Sequence, residues 1–580
     1  MGHLNHHAIE NKIQPESVAL APQSALLSEA GLLQLRNDVS LGSGNFLDRC
    51  LVISSAKNTP FLFVDKPMYF ADGIAVSEFS LDTLQQFRRA LASWYLQQGV
   101  GMGNVVAVCV EDGIAPFLHY LALTSLGATI ALINAGMAAE AGAAYMQQND
   151  FDKLVTDAHS LASSQFVQHW QTIAGADCML EVSPACLMPT VQLPAWWPRT
   201  PEDSTLVMLS HTSGTTGIPK AVLFEHRQFF MGKRARIGHF AEGLDERLLT
   251  ALPQSHSAAI SHLETAVLHG IPTYVLGTQC GDAVRAAIQE FAPTTVVAFP
   301  KSYMLLVESG VAQDEFPSVR RWFSMGDAAH QSHTRLMLAG APQSRFIDAF
   351  GSSELGMALF RSESTSTRIA AQRSIGRPVE IAVAKILDAA TGEEMAAGEI
   401  GMLAVRSPTI TSGYWGQSKR IADAWRGGYF LTGDMAFCKN GEFFQIDRAV
   451  DVVDAPCGPL YTLQLEEAAQ QVEVVCDVVV VGMDGNVEGD PTILALVLLE
   501  RDASDAAELI AERVLHALRH ANAAHAIHAM VLPEEAVAVA IVRNFSFMPI
   551  GATGKVLKRL LRQQAPTILQ QVKNDRSASG

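Results

Sequence analysis

The stretch 210–220, SHTSGTTGIPK, combines residue types that bind anions. Glycine lets backbone N–H groups approach phosphate oxygens closely, hydroxyl side chains add donors, and a lysine adds a positive charge. The residues concerned are Thr212, Ser213, Gly214, Thr215, Thr216, Gly217 and Lys220. The spacing is not that of a Walker A loop, because Lys220 follows a proline rather than a glycine. Taken alone, this chemistry describes either a phosphate-binding loop or a solvated turn.

Four later stretches place charged side chains among glycine and hydroxyl residues. They are FGSSE (350–354), YFLTGD (429–434), DRAVD (447–451) and GATGKVLKR (551–559), and they supply Glu354, Asp434, Arg448 and Lys555. A carboxylate is the hard oxygen ligand that Mg²⁺ prefers beside phosphates. Each of these groups in isolation would be a solvated charge on the surface, so a functional interpretation depends on whether the motifs occur together.

Taken in order, the five stretches resemble the signature elements of the adenylate-forming superfamily, which contains acyl-CoA synthetases, adenylation domains and luciferase-like enzymes. SGTTGIPKAV (213–222) is similar to the phosphate loop of that family, and the resemblance covers residues 205–560. It implies ATP-dependent activation of a carboxylic acid as an acyl-adenylate with release of pyrophosphate, followed by transfer to CoA. ATP, Mg²⁺ and CoA are the implied cofactors, and a small-molecule acid is the implied substrate.

The resemblance also implies roles for individual residues around the triphosphate. Lys220 and the loop 212–217 would hold the β- and γ-phosphates, and Glu354 would bind Mg²⁺. Ser353, which replaces the usual threonine, would bond the α-phosphate. Lys555 would bridge the α-phosphate and the substrate carboxylate.

Other residues would hold the nucleoside. Phe350, in place of the usual tyrosine, would stack on adenine, with Gly326 of the segment 324–328 beside it. Asp434 would accept both ribose hydroxyls. Arg448 would contact the ribose and open a hinge, about which the C-terminal domain is expected to rotate between the two half-reactions.

A further resemblance concerns LPQSHSAAI (252–260), LHGIPTYVL (268–276) and GYWGQSKRIAD (413–423). Together with DRxxD at 447–451, these stretches are similar to the fatty acid transport proteins, the very-long-chain acyl-CoA synthetases. His256 then stands where that branch has a gating histidine beside the acyl pocket, the alternative being a structural core histidine. This branch favours a medium or long acyl chain, while an aromatic or small functionalised acid stays open.

The acid pocket is expected to draw on 226–236, 254–264, 299–304, 325–332 and 350–360. These segments mix apolar side chains with polar ones, among them Arg236 and His262. The composition of these segments alone does not indicate whether the substrate is apolar or polar.

The segment after Arg448 departs from the family pattern. Val450 stands at the hinge position, and DAPCGPLYTLQLEE (454–467) places Cys457 on a usual glycine and Gln464 on a usual glutamate. Two prolines change the stiffness of a loop that shapes the pantetheine channel in thioester-forming relatives. The acceptor is therefore either CoA or another nucleophile, such as a carrier-protein thiol, an amine or an intramolecular group. A third reading is a non-catalytic nucleotide-binding protein.

The elements that must position these groups follow an α/β rhythm. Ser80 caps a predicted helix, and VVAVCV (105–110), ATIALI (128–133) and LVMLS (206–210) read as strands buried on both faces. The fold class is α/β: a large N-terminal domain of stacked mixed β-sheets with flanking helices, plus a small mobile α+β C-terminal domain. The predicted divisions are a variable leader 1–45, the large domain 46–447, a hinge 448–450, the small domain 451–572 and a tail 573–580.

Bulk composition excludes some partners. The net charge of -17 argues against a nucleic-acid surface, which needs clustered Lys and Arg. No apolar run approaches the roughly 18 residues that span a bilayer, so the sequence does not predict an integral membrane protein. The eight cysteines are scattered without a CxxC pair, which favours free thiols and a cytoplasmic location.

Overall fold

The computed structural model of the chain describes residues 27–578 except 152, 189–190, 213–217, 239, 244, 328, 418–421, 456–457, 484–490, 500–506, 522–530, 543–548 and 550–555. The helices are α1 Glu29–Asn37, α2 Phe46–Ile53, α3 Leu81–Gln97, α4 Ala115–Ser125, α5 Ala139–Gln148, α6 Ala158–Ser163, α7 Gln165–Ala174, α8 His226–Arg236, α9 Ser257–His269, α10 Gly281–Phe291, α11 Pro300–Glu308, α12 Gln331–Gly340, α13 Thr462–Ala469, α14 Ala507–His520 and α15 Lys558–Ala578. The strands are β1 Leu62–Tyr69, β2 Ala75–Phe79, β3 Val105–Cys109, β4 Thr129–Leu132, β5 Leu154–Asp157, β6 Met179–Val182, β7 Leu206–Thr212, β8 Lys220–Glu225, β9 Leu248–Thr250, β10 Thr273–Val275, β11 Thr295–Ala298, β12 Arg321–Met325, β13 Arg345–Gly351, β14 Ala358–Thr365, β15 Ser374–Pro378, β16 Val383–Leu387, β17 Gly401–Arg406, β18 Trp425–Arg426, β19 Tyr429–Lys439, β20 Glu442–Arg448, β21 Val453–Ala455, β22 Gly458–Leu460, β23 Val475–Gly482, β24 Ile493–Leu499 and β25 Val537–Val542.

One sheet of the large domain has the order β6-β5-β3-β4-β7-β8. Its strands pair in parallel except for the last pair, β7 with β8, which is antiparallel. The apolar runs of β3 and β4 are almost wholly buried, because helices cover both faces of a parallel sheet. The prediction of buried strands over 105–110, 128–133 and 206–210 is confirmed.

A second, longer sheet has the order β16-β17-β19-β20-β15-β14-β13-β12-β11-β9-β10-β1-β2, with β18 paired to β19. The part from β13 to β1 is parallel, and the part from β14 to β16 is antiparallel. The sequence predicts a strand over residues 382–388 and a hairpin connection over the turn-rich stretch 388–401. Val383–Leu387 forms β16 and pairs antiparallel with β17, which confirms the predicted hairpin.

The chain from 451 onward forms a smaller α+β unit. Its sheet has the order β23-β24-β25, and α13, α14 and α15 pack on it around a core that includes Val480, Val497 and Val514. The fold class predicted from the sequence, a large sheet-rich domain and a small α+β domain, is confirmed.

Both ends of the chain differ from the expected leader and tail. Leu35 and Leu41 are fully buried, and Arg234 donates to the carbonyl oxygens of Arg36 and Leu41 at 3.0 and 2.9 Å, so part of the expected leader packs on α8. At the other end, α15 continues through the polar tail to Ala578. Amphipathic packing of residues 27–45 explains the first difference, because an apolar stripe on a short helix is stable once it is buried.

Other expectations from the sequence can be compared directly. The Oγ of Ser80 accepts a hydrogen bond from the amide of Thr83 at 3.1 Å, which confirms the predicted cap of α3. No disulfide joins the seven cysteines in the described part of the chain. Among the described helices, none combines the length and the apolar character that crossing a membrane requires.

Candidate active site

The predicted phosphate loop joins two directly paired strands. In the β7–β8 hairpin Thr212 stands opposite Lys220, so the loop leaves and re-enters the sheet at one point. Residues 213–217, and with them Ser213, Gly214, Thr215, Thr216 and Gly217, lie outside the described residues. Thr212 and Lys220 both line a cavity of about 620 Å³ that runs between the two sheets and reaches the C-terminal unit. The two residues that flank the predicted anion loop therefore line this cavity.

Tyr414 connects Lys220 with Glu354. The Lys220 Nζ lies 4.9 Å from the centroid of the Tyr414 ring, and the Tyr414 hydroxyl donates to Glu354 Oε1 at 3.0 Å. Tyr414 belongs to the stretch 413–423, for which the sequence predicted no individual role. An aromatic residue shortly before the Thr-Gly-Asp element was the available signal. Tyr414 therefore contacts both the predicted phosphate-binding lysine and the predicted Mg²⁺ ligand.

Glu354 fits a role as a Mg²⁺ ligand beside phosphates. It follows the end of β13 and lines the cavity, with one carboxylate oxygen oriented by Tyr414. Among the described residues there is no cluster of three or more His, Cys, Asp or Glu that could hold a metal. Mg²⁺ in nucleotide sites typically takes one or two carboxylates and completes its shell with phosphate oxygens and water. A single well-placed carboxylate is the arrangement expected for that ion.

Asp434 and Arg448 face each other on paired strands. They are cross-strand neighbours in β19 and β20, with Arg448 Nε 3.6 Å from Asp434 Oδ1. Gln445 donates from its side-chain amide to the same Asp434 oxygen at 3.0 Å. The Asp434 carboxylate, helped by Glu354, raises the pKa of the Arg448 guanidinium. Asp434 is only 6% exposed, and it lines the cavity as an oriented acceptor.

Phe350, Ser353 and Gly326 lie along the next part of the cavity wall. The Phe350 ring packs edge-on against Phe360, with centroids 5.8 Å apart. Gly326 has φ +91°, and a Cβ there would meet the Phe299 ring at 2.7 Å. Both the backbone conformation and the close ring require glycine at this position. Phe350 near the end of β13 and Gly326 directly after the neighbouring strand β12 thus line the cavity at the same edge of the sheet.

His256 combines a structural and a cavity-lining position. It is the N-cap of α9, where its Nδ1 accepts a hydrogen bond from the Ala258 amide at 3.1 Å. Its ring stands edge-on to Phe299, with centroids 5.1 Å apart, and it lines the cavity. Because Nδ1 is an acceptor in the cap, the neutral ring carries its proton on Nε2. The gating role stays a prediction.

Lys555 lies outside the described residues, but the chain that follows it does not. Val556, Leu557 and Lys558 line the same cavity as Lys220. Lys558 is paired with Glu466 at 2.7 Å and donates to the Thr462 hydroxyl at 2.8 Å. Burial lowers the pKa of Lys558, but the charges of Glu466 and Asp447 outweigh this effect and raise it overall. Lys558 thus anchors the segment that carries Lys555, a role the sequence analysis missed.

The two units also meet through a histidine. His330, which precedes α12, places Nδ1 3.0 Å from Glu467 Oε2 on α13, and the amide of Gln331 donates to Glu467 Oε1 at 3.2 Å. His333 Nε2 donates to the Cys476 carbonyl oxygen at 2.9 Å. The C-terminal unit is thereby hydrogen-bonded onto the rim of the cavity.

The segment after Arg448, whose sequence differs from the family pattern, connects the large domain with the C-terminal unit. Val450 is 52% exposed, Gln464 is buried on α13, and Cys457 lies outside the described residues. Asp451 Oδ1 accepts from Arg562 Nη2 of α15 at 3.1 Å. The expected hinge is therefore tied to the last helix in this arrangement.

Comparison with known proteins places the chain in a family. Residues 65–415 match the AMP-binding enzyme family. A 3-aminoavenalumate diazotase from Streptomyces sp. is 32% identical over 572 residues, which cover 93% of this chain and 98% of that protein. A 3-hydroxybenzoate–CoA ligase from Aromatoleum sp. (strain CIB) is 26% identical over 484 residues, covering 80% and 87%. The structure of the anthranilate CoA ligase AuaEII in complex with anthranoyl-AMP has the same fold, with a TM-score of 0.73 at 18% identity and coverage of 90% and 97%.

The chain belongs to the AMP-binding enzyme family, within the adenylate-forming superfamily, and it is an AMP-forming ligase. The assignment made from the five motifs is confirmed. The narrower resemblance to fatty acid transport proteins stays a prediction, because the findings support the superfamily and not that branch.

Proposed function

We propose that this protein uses ATP and Mg²⁺ to convert a carboxylic acid into an acyl-adenylate with release of pyrophosphate, and then transfers the acyl group to CoA. The observation that carries the proposal is the convergence of Lys220, Glu354, Asp434 and Arg448 on one cavity beside the segment that follows Lys555. These four charged groups come from four separate motifs that are spread over more than 200 residues of sequence, from 220 to 448. The cytoplasmic location expected from the sequence remains part of this proposal.

The first half-reaction is an in-line displacement that needs positioning and charge rather than a base. Lys220 and the loop 212–217 hold the β- and γ-phosphates, while Glu354 holds Mg²⁺, which offsets their charge. Ser353 and Lys555 bond the α-phosphate, and Lys555 also orients the substrate carboxylate. That carboxylate is already ionised, so catalysis lies in aligning it and in stabilising negative charge as pyrophosphate departs.

The remaining residues fix the nucleoside. Asp434, oriented by Gln445 and Arg448, accepts the ribose hydroxyls, and Phe350 with Gly326 brackets the adenine. Arg448, whose neighbours hold it in its charged state, contacts the ribose and lies directly before the expected hinge. The second half-reaction then requires the C-terminal unit to turn, which opens the His330–Glu467 contact and withdraws Lys555.

A second candidate differs in the substrate and the acceptor, and the 32%-identical diazotase favours it. Diazotisation converts an arylamine into a diazonium ion and needs nitrogen at the oxidation level of nitrite. Nitrite, like a carboxylate, is an oxyanion that could attack the α-phosphorus, giving a nitrous–AMP anhydride and pyrophosphate. The amine nitrogen would attack the nitroso nitrogen and displace AMP, and the protonated nitrosamine would then lose water. The altered segment 450–464 is compatible with an acceptor other than CoA. A carrier-protein thiol is a further such acceptor.

The test is pyrophosphate exchange across a panel of acids and nitrite, followed by mass spectrometry of complete reactions. Exchange with an acid and a thioester on adding CoA is the expected result. Acid-dependent pyrophosphate exchange without a thioester product would support the adenylation step but would contradict CoA as the acceptor. Exchange with nitrite, and a diazonium product on adding an arylamine, would establish the second candidate. Tight ATP binding without any exchange would instead indicate a nucleotide-binding protein.

A further inference from the structure

The far wall of the cavity carries a positive charge that no carboxylate of the described residues neutralises. Arg236, the last residue of α8, is 8% exposed and lines the cavity together with His262 of α9. Its Nε donates to the Gly232 carbonyl oxygen at 3.2 Å, which is a hydrogen bond within its own helix. Among the described residues, no carboxylate forms an ion pair with it. A buried guanidinium in this situation is costly.

A second arginine adjoins the first. Arg361 on β14 holds its guanidinium carbon 5.7 Å from the ring centroid of Phe323, which lines the cavity, and its Nε is buried without a hydrogen-bond acceptor. Burial, and then the charge of Arg361, lower the pKa of Arg236 to about 10, so Arg236 is protonated at neutral pH and is repelled by Arg361. We call Arg236 and Arg361 the cationic end; Arg236 lines the cavity and Arg361 lies near it.

Other cationic side chains in this region do have carboxylate partners. On the same face of the sheet, Arg321 lies 2.8 Å from Glu246, and Arg345 lies 3.3 Å from Glu363. On α8 itself, buried Lys233 lies 2.9 Å from Glu264. Each of these cations has a carboxylate from the chain, whereas Arg236 and Arg361 have none in the part of the chain that the structure describes.

The walls between the cationic end and the predicted adenine site are flat and apolar. Phe299, Phe323 and Met325 line the cavity there, and His256 stands edge-on to Phe299. His262 donates its Nδ1–H to the Ala258 carbonyl oxygen at 2.8 Å and presents the rest of its ring. Burial, and then the charge of Arg236, lower the pKa of His262 to about 3, so this histidine is neutral and adds no charge.

We propose that the acid activated here carries a second carboxylate, separated from the first by a flat apolar body, and that Arg236 binds this second group while the nearby charge of Arg361 adds to the attraction. Guanidinium and carboxylate groups match in planarity and donor spacing, so the pair also selects orientation. The proposal rests on the proposed adenylation of an acid in this cavity and names its substrate class. It predicts preference for a dicarboxylate over a fatty acid of similar bulk.

The experiment compares acids that differ only at the far group. Benzene-1,4-dicarboxylate and 4-carbamoylbenzoate have nearly the same shape, but only the first has the second charge; 4-carboxycinnamate and 4-carbamoylcinnamate repeat the comparison with a longer body. Wild-type protein should show a kcat/KM in pyrophosphate exchange about 10- to 100-fold higher for the dicarboxylate of one or both pairs, the range expected for a charge-assisted hydrogen bond. Arg236→Met should remove that ratio and leave the amide rate within about threefold.

Two further variants separate recognition from folding. Arg361→Met should reduce the ratio in the same direction, and Arg406→Met, at an exposed arginine beside Tyr429, should preserve it. Two results would overturn the proposal while leaving acid activation in place. One is an equal fall in kcat/KM for the dicarboxylate and the amide in Arg236→Met, and the other is an equal kcat/KM for both members of each pair in the wild type.

Calorimetric titration of the wild type with the same acids distinguishes the remaining case. If no acid supports exchange, the proposed function fails, but tighter binding of the dicarboxylates that is lost in Arg236→Met would still support the anion site. Equal binding of charged and neutral acids would reject it.

Discussion

The two ends of the cavity treat charge in opposite ways. At the nucleotide end, formed by Lys220, Glu354, Asp434 and Arg448, positive and negative groups are interleaved, and Asp434 lies 3.6 Å from Arg448. At the cationic end, Arg236 and Arg361 repel each other, and neither has a carboxylate partner among the described residues. The nucleotide end is therefore organised before any ligand arrives, whereas the cationic end is completed only by what binds there. We infer that the nucleotide end indicates the class of reaction and that the cationic end indicates which acid is the substrate.

The largest effect should come from the nucleotide end. Lys555→Ala should lower the adenylation rate by about 100- to 1000-fold, the loss typical of removing one group that stabilises transition-state charge, and should leave ATP binding within about threefold. Single-turnover adenylate formation and nucleotide titration measure the two quantities. Lys439→Ala, at an exposed lysine of β19, is the control. Normal adenylation by Lys555→Ala would show that the segment 551–559 does not serve the site.

The contact on the rim of the cavity should give a pH-dependent stability. Burial lowers the pKa of His330, but the hydrogen bond and charge of Glu467, with Asp477 and Glu466, raise it from 6.5 to about 8. Because the folded-state pKa is the higher one, the stabilisation is fully present below pH 6.5 and is lost as the pH rises through about 8. The shift corresponds to about 2 kcal/mol.

Urea unfolding of the wild type and of His330→Gln between pH 6 and pH 9 measures this contribution. The difference between the two proteins should shrink by about 2 kcal/mol over that range. If the difference in free energy of unfolding between the wild type and His330→Gln were the same at every pH, the charge on the His330 ring would not contribute to stability.

A smaller effect should follow from uncoupling the ribose-facing pair. Asp434→Asn keeps the shape but removes the charge opposite Arg448, and we expect the KM for ATP to rise about tenfold with little change in kcat. Steady-state kinetics with ATP as the varied substrate measure it. Asp245→Asn, which removes an exposed ion pair with Arg320, should leave the KM unchanged. A fall in kcat at constant KM would place Asp434 in the chemical step instead.

The smallest effect should have the opposite sign at the cationic end. Arg236→Met in the ligand-free protein removes one of two buried cations that repel each other and fills the space with an apolar chain. We expect the free energy of unfolding to increase by about 1 kcal/mol. Urea denaturation without ligand measures this, with Arg406→Met as the control. Destabilisation by Arg236→Met would imply that Arg236 holds the fold together, and the contrast between the two ends would no longer stand.

Much of the nucleotide end could be read from the sequence. Its residues lie in short motifs whose spacing is set by local backbone geometry, as in the hairpin that places Thr212 opposite Lys220. The strands and the helix cap at Ser80 follow from local patterns as well. The roles of Tyr414 and Lys558 were missed, because each depends on a neighbour distant in the chain, Glu354 in one case and Glu466 in the other.

The sequence by itself determined the family and the α/β architecture, because motif chemistry and hydrophobic periodicity are properties of neighbouring residues; the ligand of the phosphate loop stays a prediction. Only the tertiary structure decided which charges are paired. In the sequence, Arg236 and Arg361 look no different from Arg321 and Arg345, yet the fold gives carboxylates to the second pair and none from its described part to the first. Charge compensation depends on distances between segments far apart in the chain, and folding alone sets those distances.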